Sequence, residues 1–261
     1  MAIKKERLDV MLHECGLFSS REKAKAAVMA GVVLVNGELA LKAGMPVASD
    51  AEFSIVAPAC PYVSRGGLKL EAALDGFRID AAGAVAVDIG ASTGGFTDCM
   101  LKRGARRVYA VDVGYGQLDW TLRNDARVVN MERVNIRLMD AGAIPEKADL
   151  ITIDVAFISL KLVLPVAAGL MAEDGRIVCL VKPQFEAGRA QVGTNGVVRD
   201  EAVHAEVLKN VIAYGLENGL TERGVIPSPI KGAKGNTEFL MLFVTTQTPR
   251  DFCPSRNLPA V

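Results

Sequence analysis

Val87-Asp88-Ile89-Gly90-Ala91-Ser92-Thr93-Gly94-Gly95-Phe96 runs from a continuous apolar strand, through an acid, into a turn of small residues that opens a helix. Glycine lets the backbone take positive φ and approach a ligand closely. In doubly wound α/β folds the carboxyl end of the first strand is where cofactors bind. The spacing is G-x-S-x-G-G and departs from the G-x-G-x-x-G dinucleotide fingerprint, which disfavours an NAD-dependent oxidoreductase. A second strand ends at Asp112, 22 residues beyond Gly90, and an acid there suits a ribose diol. S-adenosylmethionine carries a ribose and an amino-acid tail but no phosphate, so it has no need of the pyrophosphate geometry. The segment therefore predicts an S-adenosylmethionine site on Asp88, Gly90, Ser92, Gly94, Gly95, Phe96 and Asp112. A G-x-S-x-G string also marks hydrolase nucleophile elbows. Here Ser92 follows the first strand, and the two histidines, His13 and His204, fall in the N-terminal module and in a predicted helix. A catalytic triad is not expected.

Outward from this turn, strands and helices alternate from Val63 onward. A helix is expected around Leu68–Leu74, a strand at Ala84–Ile89, a helix at Phe96–Lys102 and a strand at Arg107–Val113. Strands follow at Val128–Met131, Leu150–Val155 and Ile177–Val181, with a helix between the last two. A long helix, Glu201–Glu217, precedes strands Thr221–Pro227 and Glu238–Thr245. This alternation predicts an α/β fold with a mostly parallel twisted sheet and helices on both faces.

Upstream lies a small α+β pattern. Arg7–Leu12 reads as an amphipathic helix stopped near Gly16. Ser19 with Glu22 reads as a capping box for a second helix ending at Gly31. Val32–Val35 reads as a strand, Asn36-Gly37 as a tight hairpin turn, and Glu52–Val56 as a closing strand. Two prolines in Ala57–Tyr62 suggest a stiff linker. The expected organisation is a module at 1–57, a linker at 58–62, the main domain at 63–246 and a loose tail at 247–261.

Composition narrows the class. The chain has 261 residues, half of them hydrophobic, enough for one α/β domain and a small module. Thirty basic residues balance thirty acidic ones, so a nucleic-acid partner would have to be gripped by local patches. Five cysteines, an odd number without a C-x-x-C pair, speak against a disulfide framework and a zinc site. The N-terminus lacks the apolar stretch of a signal peptide. The longest apolar run, Leu162–Ala172, contains Pro165 and Gly169 and falls short of the roughly 20 residues a spanning helix needs. A soluble, reduced, cytoplasmic protein without metal or membrane is expected.

Six segments together resemble the TlyA, or hemolysin A, family: Tyr62–Leu70 (YVSRGGLKL), the turn itself, Ala110–Leu118 (AVDVGYGQL), Phe157–Leu160 (FISL), Val181–Glu186 (VKPQFE) and Ile230–Phe239 (IKGAKGNTEF). The resemblance runs from about Lys5 to Thr245. It implies a Rossmann-type methyltransferase of the FtsJ kind, with ribosomal RNA as substrate and 2′-O-methylcytidine as product. The N-terminal pattern resembles the RNA-binding module of ribosomal protein S-four, through Arg7-Leu8-Asp9, Gly16-Leu17, Ser20-Arg21, Ala24, Gly31 and Val33 through Gly37.

FtsJ-like enzymes carry a Lys-Asp-Lys-Glu set, matched here by Lys69, Asp154, Lys182 and Glu238. The chemistry is intelligible without the family. A ribose hydroxyl is a very weak acid, so its attack on a sulfonium methyl needs a base. A lysine serves only when neutral, and its pKa must be depressed from the free value by the equivalent of about 3–4 kcal/mol for that near pH 7. A second cation nearby and partial burial both favour the neutral form. Lys182 is the expected base, with Lys69 orienting the hydroxyl, Asp154 positioning Lys182 and facing the donor, and Glu238 holding Lys69 or the ribose. Pro183 restricts Lys182 to extended backbone.

The first 60 residues hold seven basic and seven acidic side chains. With the S-four-like pattern, Arg7 and Arg21 are the foremost phosphate contacts, with Lys25 and Lys42 behind them. Two rival readings share much of this sequence. One is a cytolytic haemolysin, against which the missing signal, span and disulfides count. The other is a catalytically silent RNA-binding assembly factor, against which only the intact four-residue set counts.

Overall fold

The computed structural model describes residues 5–29, 31–40, 42–55, 60–140 and 142–246. The expected tail and the first half of the expected linker lie outside these described residues, as does Leu41. The chain divides into two compact units, Met1–Pro61 and Tyr62–Val261.

In the first unit β1 (Lys5–Arg7) leads into α1 (Leu8–Glu14), followed by α2 (Arg21–Met29), β2 (Val33–Val35), β3 (Glu38–Leu39), β4 (Pro46–Ala48) and β5 (Phe53–Ile55). Strand β2 pairs antiparallel with β3 and β5. The turn between β2 and β3 is the expected one: Asn36 and Gly37 both take positive φ, 51° and 82°, the backbone that matches strand twist in a two-residue hairpin. Leu8, Leu12, Ala24, Val28 and Val33 form the dry centre.

Two sequence expectations shift by a residue here. The first helix starts at Leu8, because Lys5–Arg7 is extended and pairs antiparallel with Pro46–Ala48. The second helix is capped from Ser20 rather than Ser19: the Ser20 hydroxyl accepts the Lys23 N–H at 3.3 Å.

The second unit runs α3 (Gly66–Gly76), β6 (Val85–Ile89), α4 (Gly95–Lys102), β7 (Arg107–Asp112), α5 (Trp120–Arg123), β8 (Val128–Glu132) and β9 (Ala148–Ile153). It continues with α6 (Leu164–Leu170), β10 (Met171–Val181), α7 (Pro183–Glu186), α8 (Glu201–Glu217), β11 (Leu220–Pro227) and β12 (Phe239–Thr245). The seven strands lie in the order β11-β12-β10-β9-β6-β7-β8. From β10 to β8 all neighbours are parallel; β12 is antiparallel to both β10 and β11.

Strand β6 is buried along its whole length, as a central parallel strand covered on both faces must be. Its side chains alternate. Val85, Val87 and Ile89 pack with Leu164 and Ala167 of α6 and Val207 and Val211 of α8. Asp88 faces the other way and takes the Thr97 hydroxyl of α4. Helices therefore cover both faces. The chain leaves β6 for β7 and β8 on one side and returns to β9 and β10 on the other. That reversal leaves a crevice at the carboxyl ends of β6 and β9, the place where open α/β sheets bind ligands.

Candidate active site

A cavity of about 880 Å³ occupies that crevice, walled by the loops that follow β6, β7, β8, β9 and β10 and by the start of α3. The β6 turn forms its floor. Gly90 takes φ +85°, and a Cβ there would stand 2.5 Å from the Asp154 carbonyl oxygen, so the turn and the β9 loop touch backbone to backbone. Gly94 takes φ +94° as the residue before α4, above the side chains of Leu118 and Leu122. Asp112 closes the turn from β7: its carboxylate accepts the Ser92 N–H at 2.8 Å and the Gly114 N–H at 2.6 Å. Each oxygen keeps a further lone pair for a ligand hydroxyl.

The residues expected to hold a cofactor divide into two groups. Gly90, Ser92, Gly95, Phe96 and Asp112 line the cavity, whereas Asp88 and Gly94 stand behind its wall. Asp88 is fully buried and bonds the hydroxyls of Thr97 at 2.7 Å and Thr152 at 3.0 Å. Burial pushes its carboxyl up to about 6 against the pull of those hydroxyls. Its geometry is that of a brace under the turn.

The four ionisable residues of the expected catalytic set all line this cavity, although they come from α3, the end of β9, the end of β10 and the approach to β12. They form two ion pairs. The Lys182 amine lies 2.5 Å from Asp154, and the Lys69 amine lies 2.6 Å from Glu238. Lys182 has the extended backbone that the following proline dictates, with φ −112° and ψ 101°. Gly232 leaves room for Glu238, since a side chain at that position would strike its carboxylate.

Other residues of the wall were given no role from the sequence. Val134–Arg137, after β8, and Val155 and Ala156, after β9, contribute to the lining; only their place beyond parallel-strand ends could have pointed to them. Phe157 and Ile158 line it as well and fall in the family segment Phe157–Leu160. Behind the wall stands Glu186, the last residue of the segment Val181–Glu186. Its carboxylate accepts the Ser159 hydroxyl at 2.6 Å and the Leu160 N–H at 2.8 Å, and burial pushes its carboxyl up. It thus fastens α7, which begins beside Lys182, to the loop that carries Phe157. Phe157 and Phe185 face each other across that junction with ring centroids 5.1 Å apart.

In the first unit, Arg7 and Arg21 converge on the carboxylate of Asp9. Lys25 and Lys42 are exposed and take no part in that cluster. Among the described residues there is no group of three or more His, Cys, Asp or Glu side chains that could hold a metal ion.

Comparison with known proteins agrees with this division. Residues 62–244 match the FtsJ-like methyltransferase family, and residues 6–53 match the S4 domain. A Bacillus subtilis protein provisionally named an rRNA methyltransferase, YqxC, is 51% identical over 92% of this chain and 86% of its own length. The Mycobacterium tuberculosis protein named 16S/23S rRNA (cytidine-2′-O)-methyltransferase TlyA is 44% identical over 95% of this chain and 92% of its own. A solved structure of a hemolysin-named protein from Streptococcus thermophilus superposes with a TM-score of 0.75 at 47% identity, over 95% of this chain and 91% of that one.

Proposed function

Because the chain belongs to the FtsJ-like methyltransferases, within the TlyA (hemolysin A) family, we propose that it transfers the methyl group of S-adenosylmethionine to a ribose 2′-hydroxyl of ribosomal RNA, at a cytidine. The observation that carries this reading is the convergence of two lysine–carboxylate pairs on a cavity floored by the β6 turn. The cavity volume suits a nucleoside-sized donor with room for a nucleotide beside it, since small-molecule sites span about 300–1,000 Å³. Asp112 has lone pairs free for a ribose diol, and Gly90, without a side chain, lets a ligand approach the backbone of the turn.

When bound, S-adenosylmethionine supplies an activated methyl on a positively charged sulfur. The protein has to align the acceptor and remove its proton, and alignment alone accounts for much of the rate in such in-line transfers. Lys69, held by Glu238, orients the ribose oxygen. Lys182 takes the hydroxyl proton as the oxygen–carbon bond forms. Resting Lys182 is ion-paired with Asp154, so it must first shed a proton of its own. Asp154, bonded to that amine and open to the cavity, is the route by which this proton leaves for water. The first unit grips the RNA through Arg7 and Arg21, with Lys25 and Lys42 as outer contacts, and the work is placed in the cytoplasm with the ribosome.

The test is to incubate the purified full chain with methyl-labelled S-adenosylmethionine and separated, unmodified ribosomal subunits, then digest the RNA with alkali. A 2′-O-methyl group blocks alkaline cleavage at its own nucleotide. Label in an alkali-stable dinucleotide with cytidine at its 5′ side is expected. Label on a base, or none, would reject the reading.

A further inference from the structure

We propose that Arg7 and Arg21 form a two-pronged seat for a single RNA phosphate, and that Asp9 and Gly44 set its geometry. The inference rests on the reading above that the first unit holds RNA. Asp9, the second residue of α1, is 4% exposed. The Arg7 guanidinium grips it side-on, Nε to Oδ1 at 2.9 Å and a terminal nitrogen to Oδ2 at 3.0 Å. Arg21 reaches the same Oδ2 at 3.3 Å, so the two cations converge on one oxygen. Their side chains remain 56% and 52% exposed, which leaves further N–H groups facing solvent. Gly44 completes the seat: a Cβ there would lie 3.0 Å from both terminal nitrogens of Arg7, so the guanidinium rests directly on the glycine backbone. Two positive charges and one negative leave a net charge of one, the complement of one phosphodiester. Planar guanidinium groups with fixed N–H directions recognise phosphate oxygens by geometry as well as charge.

Charge and geometry make opposite forecasts for Asp9→Asn. The substitution adds a positive charge, so arginines acting as mere charges would bind RNA more tightly. Arginines that depend on the carboxylate for their placement would bind more weakly. Gly44→Val changes no charge, and the first atoms its Cβ meets are those at the flexible end of Arg7. Binding of the full-length variants to unmodified ribosomal subunits is measured across a potassium chloride series, with Arg7→Ala beside them and thermal melting as the check on folding. Weakening of about 10-fold in both Asp9→Asn and Gly44→Val is expected, the size of a lost hydrogen bond between charged groups. The salt slope should fall by about 0.7–0.9, one phosphate contact. Should Asp9→Asn fail to fold, Gly44→Val decides. Equal or tighter binding by the folded variants, while Arg7→Ala weakens it, overturns the seat alone. Unaltered binding by Arg7→Ala overturns the seat together with the RNA-gripping role of this unit.

Discussion

Lys69 and Glu238 meet with little water around them, their side chains 13% and 3% exposed. Removing one partner of such a pair strands a buried charge and costs about 3–5 kcal/mol, whereas removing both is far milder. Lys69→Met should therefore destabilise the second unit by that order, and Lys69→Met with Glu238→Gln should recover most of the loss. Urea denaturation of the four proteins gives the cycle; strictly additive losses would contradict the pairing. Asp88 makes a different forecast. Its folded value of about 6 lies above the ordinary 3.8, so between those two pH values the unfolded chain has released a proton that the folded chain keeps. Stability then falls as pH rises through that window, by about 3 kcal/mol in all. Relative to wild type, Asp88→Asn should gain about that much between pH 4 and pH 7; a pH-independent difference would contradict it. Both acids are visible in the sequence as strand-end residues, but their separate duties are not. Nothing in the string of letters says that Asp88 points under the turn while Asp112 points over it. Asp9 is visible in sequence as part of the Arg7-Leu8-Asp9 match to the S-four module, but its bonding by both Arg7 and Arg21 appears only in three dimensions.

At the scale of elements, α7 cannot stand on its own, since four residues are too few to nucleate a helix. It is kept in place by Glu186 bonded to Ser159 and Leu160 and by Phe185 against Phe157. Glu186→Ala should free the Leu160 amide to exchange with solvent and loosen the wall beside Lys182, with methyl transfer falling about 10-fold for a small displacement of reacting groups. Hydrogen exchange at Leu160 checks the first claim, and unchanged protection there would contradict it. Long elements with a clear apolar period were legible. Strand β6 reads as a central strand because every residue but Asp88 is apolar, and α8 matches its expected bounds, Glu201–Glu217. Short elements were not. Strands β1 and β4 have three residues each and show no alternation; only their pairing with each other makes them strands. Ser19 and Ser20 are chemically equivalent caps, and the choice between them depends on where the preceding loop delivers the chain.

At the scale of the whole molecule, balanced charge hides local specialisation. The cavity with its two lysine–carboxylate pairs belongs to the second unit and the paired arginines to the first. Neutralising phosphates releases counterions, so rising salt should weaken RNA binding with a slope of roughly −0.7 to −0.9 per contact. Binding of S-adenosylmethionine, which has no phosphate to neutralise, should barely respond. Parallel slopes for both ligands would contradict this division of labour. Among the described residues no helix is long and apolar enough to cross a membrane. The α/β topology was legible from the alternation of elements, and the cavity from the turn at the end of the first strand. The joining of Lys69 to Glu238, 169 residues apart in the chain, was accessible only through family resemblance, because spacing in sequence carries no trace of it.

The role of Lys182 is the point on which the chemistry stands. The most direct test is single-turnover methyl transfer from labelled S-adenosylmethionine to unmodified ribosomal subunits by wild type and by Lys182→Ala, with donor affinity measured on both. A loss of about 10²–10⁴-fold in the transfer rate, the contribution of a positioned general base, is expected with donor affinity close to wild type. Transfer retained at the wild-type rate, with the donor bound as before, would show that another group takes the proton.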